Sequence, residues 1–257
     1  MTPPLRLGSR LDAGVLHLRL ARPERKNALD GAAYLALAQA LQQARGNDAV
    51  RAVALTAEGA TFSAGNDLAD FTPADAFTPS APAFAFMRAL AGFPKPLVAG
   101  VQGAAVGIGF TMLLHFDIVL AADDAYFIAP FVDLGVCPEA ASTLLLTRAI
   151  GLARASEMLL TGRTLHAEEA RQIGLASRVV PTASLAGAVD DCALALAAKP
   201  AAALTATKFL LRHEDSIDAD ERIGREAQLF CELLRGLAAV EALAVRREKR
   251  RPDFSSL

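Results

Sequence analysis

Apolar and polar residues alternate with two different periods in the N-terminal part of the chain. Over Val15–Leu20 every second residue is leucine and the residues between are mostly polar, which predicts a half-buried strand. After Asp30, a suitable N-cap, apolar residues recur at helical spacing and predict an amphipathic helix over residues 31–44. The short apolar run Ala52–Ala57 predicts a buried strand, which completes a strand-helix-strand unit.

Glycines and prolines divide the middle of the chain. Two further buried strands are predicted over Leu97–Val101 and residues 117–121, separated by a glycine-rich turn and a helix that begins near Gly107. Residues 68–83 contain three prolines and show no clear period, which predicts a mobile loop. The alternation of strands and helices favours an α/β layer fold, and we find no internal repeat of fixed period.

The pattern after about Ala140 is almost wholly helical. Lys199-Pro200 is the best linker, because the residue before a proline disfavours helix and proline suits a first helical turn. We therefore divide the chain into an α/β core over residues 1–199 and a helical region over residues 200–257. The helices predicted in this part span residues 154–160, 185–198, 201–211 and 223–234.

Composition and charge exclude several classes of protein. The 257 residues are 53% hydrophobic and 21% charged, as in an ordinary globular enzyme, and the net charge of −2 gives no basic field for nucleic acid. Three widely spaced cysteines indicate neither a disulfide framework nor a metal site. Residues 97–116 carry no charge, but closely spaced glycines argue against a membrane span, and residues 1–11 lack the apolar run of a secretory signal. We expect a cytoplasmic protein with no membrane partner.

Two stretches rich in small residues, 61–68 and 103–109, each follow a predicted strand. Small residues let a ligand approach the main chain, and a helix that starts near Gly107 directs unpaired N–H groups and a partial positive charge at it. Each stretch alone is explained as well by a tight turn that needs glycine. Together they predict a crevice that stabilises an oxyanion. The second stretch contains no G-x-G-x-x-G dinucleotide fingerprint.

Four stretches, in order, resemble the crotonase superfamily, also called the enoyl-CoA hydratase/isomerase family, over essentially the whole chain. They are residues 22–29 (RPERKNAL), residues 62–68 (FSAGNDL), residues 102–109 (QGAAVGIG), and Leu159, Thr161 and Gly162 with Ala170 and Gly174-Leu175-Ala176. The resemblance implies an α/β spiral of ββα units with a helical C-terminal region that assembles homotrimers or homohexamers. It also implies an acyl-CoA substrate, in which coenzyme A enters as part of the substrate and neither a separate cofactor nor a metal is needed.

The resemblance further implies which residues form the site. The backbone N–H groups of Asn66 and Ile108 would bind the oxyanion. Ile108 stands where the family often has glycine, which narrows the acyl pocket. Lys26 resembles a position near the nucleotide end of coenzyme A, although a solvated loop lysine explains it equally well. The residues implied to bind substrate are Lys26, Ala28, Ala64, Gly65, Asp67, Leu68, Gly107, Thr111 and Phe131.

The acids near the predicted pocket indicate which reaction it performs. Hydration in this family resembles a task for two carboxylates, and the positions that hold them are Thr111 and Phe131 here. Glu139, within residues 134–142, instead resembles the single glutamate of the 3,2-enoyl-CoA isomerase branch, which takes a proton from C2 and returns it to C4. Burial beside apolar residues is expected to raise the pKa of Glu139 and the helix start to lower it, which together allow a base that works near neutral pH. An acid that merely begins a helix is the alternative for this residue.

Other interpretations remain open at this stage. Cys137 and His115 are predicted to be packed core residues, and Asp67 a turn residue that satisfies its own loop. The same enolate site suits 2-enoyl-CoA hydration or another thioester reaction. A catalytically silent relative that binds acyl-CoA or RNA is a further alternative, with RNA disfavoured by the low charge.

Overall fold

A six-stranded sheet forms the centre of the N-terminal region. The structure, a computed structural model, describes residues 7–71, 77–248, 250 and 252–255. The outermost strand pair is antiparallel and the other pairs are parallel, so crossovers are needed, and helices supply most of them. The strand order is β1 (Leu7–Asp12), β2 (Val15–Leu20), β3 (Ala52–Ala57), β4 (Leu97–Val101), β6 (Ile118–Ala122) and β9 (Arg178–Val180).

A smaller three-stranded sheet lies beside the first. It contains β5 (Ala104–Val106), β7 (Tyr126–Ile128) and β8 (Leu165–His166). The chain passes from β4 to β5 through Gly103, whose φ is 55°. A Cβ at Gly103 would lie 2.0 Å from the carbonyl oxygen of Ala60, so only glycine fits this step between the sheets.

Helices connect the strands and form most of the C-terminal region. A 3-10 turn, Met112–His115, directly follows the short helix over residues 108–111. This α/β spiral with a helical C-terminal region confirms the predicted fold class. The helices are α1 (Gly31–Gly46), α2 (Pro82–Ala91), α3 (Ile108–Thr111), α4 (Ser142–Ile150), α5 (Leu152–Thr161), α6 (Ala167–Gln172), α7 (Leu185–Ala197), α8 (Ala201–Leu234) and α9 (Leu237–Glu248).

The core lies on both faces of the six-stranded sheet. Helix α7 covers one face, where Val189 is fully buried against Val98 and their neighbours. The larger cluster covers the other face and includes apolar residues of α1, α2 and α8. The two stretches rich in small residues, 61–68 and 103–109, border this larger cluster.

Elements with a clear period were predicted closely. The strands β2, β3 and β4 agree with the prediction, and β6 begins one residue later than expected. Helix α1 is present, and the side chain of Asp30 accepts a hydrogen bond from the N–H of Ala33 at 2.9 Å, which confirms the N-cap. Residues 97–116 form two strands, a short helix and a 3-10 turn.

Three predictions need correction. The helices expected over residues 201–211 and 223–234 are one helix, α8, because the polar stretch between them contains no proline to end it. The expected loop over residues 68–83 is a 3-10 turn at Leu68–Phe71, and at its other end Pro82 begins α2 as its first residue. Residues 72–76 lie outside the described part. The C-terminal half also contains β8 and β9, which are too short to show a period.

Helices α8 and α9 expose many large apolar side chains. Phe209 is 54% exposed and Leu210 81% exposed, and Leu233, Leu237 and Val240 are also exposed. The homotrimer or homohexamer stays a prediction, for which light scattering is the measurement. Within the described residues, no helix alone is long and apolar enough to cross a membrane, although the bent pair Thr182–Ala197 and Ala201–Arg212 together meets that test.

Candidate active site

The loop that follows β3 is held on both sides by main-chain hydrogen bonds. Ser63 pairs with β5, and the residues on either side of Asn66 pair with Leu29: the Leu29 N–H donates to the Gly65 carbonyl and the Asp67 N–H to the Leu29 carbonyl, both at 2.8 Å. In such a bridge the N–H of Asn66 itself points to the other side of the loop. Among the described residues it has no acceptor.

A second unpaired N–H group belongs to Ile108, the first residue of α3. Gly107 is the N-cap of this helix, and its carbonyl accepts from the N–H groups of Phe110 and Thr111, each at 2.9 Å. The N–H of Ile108 precedes these bonds, and no acceptor for it is found in the described part of the chain.

Two glycines bring these loops together. Gly65 has a φ of 91°, and a Cβ there would lie 2.7 Å from the carbonyl oxygen of Val106 and 3.8 Å from the Cα of Gly107. Gly107 has a φ of 55°. Glycine is therefore required at position 65 by both conformation and space, as the sequence suggested for this crevice.

A cavity of about 310 Å³ opens beside both loops. Most of the substrate-binding residues expected from the sequence line it, together with Phe230, which α8 contributes. The lining residues are Arg25, Ala28, Ala64, Gly65, Asn66, Asp67, Leu68, Val106, Gly107, Pro130, Phe131, Leu134, Val136 and Phe230. A larger open groove of about 710 Å³ lies elsewhere, where β1, β2 and β3 meet α7, but its charged groups are paired with each other or with neighbours.

Four of the predicted site residues are not part of this lining. Lys26 is exposed, and its carbonyl accepts from the N–H of Ala64 at 2.9 Å, so its main chain supports the loop; its contact with the nucleotide stays a prediction. Ile108, Thr111 and Glu139 are completely buried. The Thr111 hydroxyl has no hydrogen-bond partner among the described residues.

Glu139 is held by a chain of side-chain hydrogen bonds. The Asn66 Nδ2 donates to Glu139 Oε1 at 3.1 Å, and the Tyr34 hydroxyl donates to Asn66 Oδ1 at 2.5 Å. Glu139 Oε2 is buried and, within the described residues, unpaired. Burial raises the pKa of Glu139 to about 8, an effect reduced by the bond from Asn66 and increased by the charge of Glu226. This carboxyl group is suited to accept and return a proton near neutral pH.

The stretch 22–29 supports the loop that follows β3. Asn27 is 1% exposed, and its Nδ2 donates to the carbonyls of Glu58 and Thr61, both at 2.8 Å. Arg22 Nη1 donates to Asp67 Oδ2 at 2.9 Å. Asp67 also accepts from the N–H of Ala69, as expected of a turn residue, so this motif is explained by the loop it fixes.

Cys137 and His115 have the character expected of packed residues. Burial, with the charge of Glu226 next in effect, raises the pKa of the Cys137 thiol to about 12, so it is not activated. His115 is buried, its pKa is lowered to about 4 by burial, and its Nε2 lies 2.8 Å from the carbonyl oxygen of Ala140. No group of three potential metal-ligating side chains occurs in the described part of the molecule.

Sequence reasoning missed three residues around this site and the role of one side chain. For Asn66 it considered only the main chain, whereas the side chain contacts Glu139. Tyr34 lies within the predicted helix over residues 31–44, and Glu226 and Phe230 belong to a distant helix. The one signal available in the sequence was the polar side chain of Asn66, because an amide at that position is able to donate a hydrogen bond to a carboxyl group.

Comparisons with known proteins agree with the fold. Residues 10–256 match the family model described as enoyl-CoA hydratase/isomerase. The 1,2-epoxyphenylacetyl-CoA isomerase of Escherichia coli is 34% identical over 254 residues, 96% of this chain and 97% of the relative. The 2,3-dehydroadipyl-CoA hydratase of the same organism is 34% identical over 245 residues, 93% and 94% of the two chains.

A solved structure gives the same result. The crystal structure of an enoyl-CoA hydratase/isomerase from Pseudoalteromonas atlantica has a TM-score of 0.93 and 39% identity, covering 98% of this chain and 100% of that one. The fold and these comparisons define an enzyme of the crotonase class, which acts on CoA thioesters. This chain belongs to the enoyl-CoA hydratase/isomerase family.

The buried acid predicts a pH-dependent stability. The folded-state pKa of Glu139, about 8, lies above the ordinary glutamate pKa of 4.5, so the stabilising contribution of this group is fully present below about pH 4.5 and is lost as pH rises towards 8. We expect Glu139→Gln to be more stable than the wild type at pH 8, by on the order of a few kcal/mol, and to differ little at pH 4.5. Denaturant unfolding at both pH values measures this.

The exposed Glu232 on α8 provides the control, because Glu232→Gln removes an acid that is not buried. Glu226, whose pKa is raised to about 7 chiefly by burial, titrates in both proteins, so the comparison measures Glu139 together with its coupling to Glu226. Parallel stability curves for the wild type and Glu139→Gln would contradict a buried, neutral Glu139.

Proposed function

We propose that this protein is an enoyl-CoA isomerase that moves the double bond of a 3-enoyl-CoA to the 2-position. The observation that carries the proposal is the completely buried carboxyl group of Glu139, whose orienting residue Asn66 also has one of the two unpaired N–H groups. Thr111 and Phe131 stand where the resemblance places the two hydratase glutamates, and neither is able to exchange a proton at neutral pH.

The proposed reaction needs one proton-transferring group. The thioester oxygen accepts hydrogen bonds from the N–H groups of Asn66 and Ile108, which stabilise the enolate. The Glu139 carboxylate takes a proton from C2, the electron pair of that C–H bond forms the C1=C2 bond of the enolate, and the carbonyl π electrons move to the oxygen. When the carbonyl re-forms, the C1=C2 electrons form the new C2=C3 bond and the electrons of the former C3=C4 bond take a proton from Glu139 at C4, so the carboxylate is regenerated.

The pKa of Glu139 fits this cycle. A base with a pKa of about 8 holds a proton more strongly than an ordinary glutamate, and a sizeable fraction is ionised near that pH. The two relatives are named as an isomerase and a hydratase of CoA thioesters, so their names support the substrate class and leave the reaction to the residues of the site.

Turnover of two substrates in deuterated water tests the proposal. We expect a 3-enoyl-CoA to be converted to the 2-enoyl-CoA, with deuterium entering C2 or C4 to the extent that protonated Glu139 exchanges with the solvent before it returns the proton, and we expect hydration of a 2-enoyl-CoA to be slower. Faster hydration than isomerisation would favour the hydratase. Acyl-CoA binding by calorimetry without turnover of either thioester would favour a silent relative.

A further inference from the structure

The turn that carries Glu139 has a strained backbone. Ala140 has a φ of 60° and Ala141 a φ of 56°, two consecutive residues with side chains in the left-handed region. Such residues persist where the surrounding structure holds them, and they concentrate at functional sites. The surroundings of this turn therefore show what fixes the position of Glu139.

Glu226 of α8 holds the second half of this turn. Its Oε2 accepts from the N–H of Ala141 at 2.6 Å, and its Oε1 accepts from the N–H of Thr143 at 3.1 Å and from the Thr143 hydroxyl at 2.6 Å. Ala141 is the N-cap of α4 and has no side-chain oxygen, so a carboxyl group from another helix supplies the cap. Glu226 is 4% exposed.

The first half of the turn is held by His115, whose Nε2 lies 2.8 Å from the Ala140 carbonyl oxygen.

Four charged or titratable groups of the described residues surround the turn. They are Glu226 and Arg222 from α8, His115 from the turn after α3, and Cys137 from the loop that precedes Glu139. His115, with a pKa of about 4, and Cys137, with a pKa of about 12, stay neutral between pH 6 and 9. Among these described groups, Glu226 is the neighbour of Glu139 whose charge changes in that range.

We propose that Glu226 is a positioning residue for this site, which fixes the strained turn so that Glu139 faces the bound thioester. Its negative charge also disfavours ionisation of Glu139 and so makes Glu139 a stronger base. The inference rests on the proposed function, since it gives a purpose to the position of Glu139. It assigns to the C-terminal helical region a part in the chemistry besides the assembly predicted for it.

Glu226→Gln tests the proposal, because it keeps the shape of the side chain and removes the charge and one acceptor. We expect kcat for the 3-enoyl-CoA to fall roughly tenfold to a hundredfold with little change in KM, as for a displaced catalytic group. We also expect the ascending limb of kcat/KM against pH to move to lower pH. Glu232→Gln, on the exposed side of the same helix, is the control and is expected to leave both unchanged.

A variant with unchanged kcat and unchanged pH profile would overturn the proposal. A lower kcat with an unmoved pH profile would also overturn it, because a purely structural role produces that result. If Glu226→Gln does not fold, Thr143→Val serves instead: it removes the hydroxyl donor to Glu226 and is expected to shift the pH limb in the same direction by less.

The outcome is separable from that of the proposed function. Carbon-13 NMR of labelled glutamate, assigned through Glu139→Gln, follows the ionisation of Glu139 without any turnover. If the wild type fails to isomerise a 3-enoyl-CoA while Glu226→Gln still lowers the pH at which Glu139 ionises, the proposed function fails and the influence of Glu226 on Glu139 stands. If the wild type isomerises and the NMR titration is the same in both proteins, the influence of Glu226 fails alone.

Discussion

Glu139→Gln is expected to lower the rate of 3-enoyl-CoA isomerisation by about a hundredfold to ten-thousandfold, the usual contribution of a general base. Glutamine has nearly the same shape, and its carbonyl oxygen is able to accept the bond that Asn66 Nδ2 now gives to Glu139 Oε1. It is unable to take up and return a proton. The loss should therefore appear in kcat, while the affinity for acyl-CoA, measured by calorimetry, stays close to that of the wild type.

Glu232→Gln is the matched control for this experiment too, since it makes the same chemical change at an exposed position. Full turnover by Glu139→Gln would show that another group moves the proton. The paired N–H groups would then serve a different thioester reaction.

Ile108→Pro is expected to lower kcat by about a hundredfold to a thousandfold relative to Ile108→Ala, because proline removes the main-chain donor proposed for the enolate. Ile108 is the first residue of α3, where proline is tolerated by the helix. Its side chain is fully buried, so both variants lose packing. For the alanine variant this loss lowers the free energy of unfolding by about 2–5 kcal/mol. The pair of variants thus separates the N–H group from the side chain.

Steady-state kinetics on both Ile108 variants, with circular dichroism to confirm folding, measures this difference. Equal kcat values would mean that the N–H of Ile108 does not bind the developing charge. A loss confined to KM would mean that it binds the substrate and the transition state equally.

The sequence predicts well those features that depend on neighbouring residues. The N-cap Asp30 and the helix that follows it, and the alternation in β2, are local patterns that the structure retains. Gly65 and Gly103 were recognisable because each allows a close approach of two main chains. The continuity of α8 was missed, since its polar middle hides the helical period although nothing there ends the helix.

Features that depend on distant contacts were out of reach of sequence patterns. Asn66 and Glu139 are 73 positions apart, and Glu226 is 85 positions from Ala141. No periodicity relates residues at such distances, and only packing of α8 against the turn brings them together. The raised pKa of Glu139 was anticipated in direction from its apolar neighbours, whereas the contribution of Glu226 was not.

Helix α8 reaches the cavity wall through Phe230 and the Glu139 turn through Glu226, and these two residues are one helical turn apart on the same face. A substitution at Phe230 that shifts α8 to admit a bulkier acyl group will also displace the cap of the Glu139 turn. Substitutions at Phe230 that are selected for a new acyl group should therefore also shift the pH optimum of activity. Substitutions at Leu68, on the opposite loop, should leave the pH optimum unchanged.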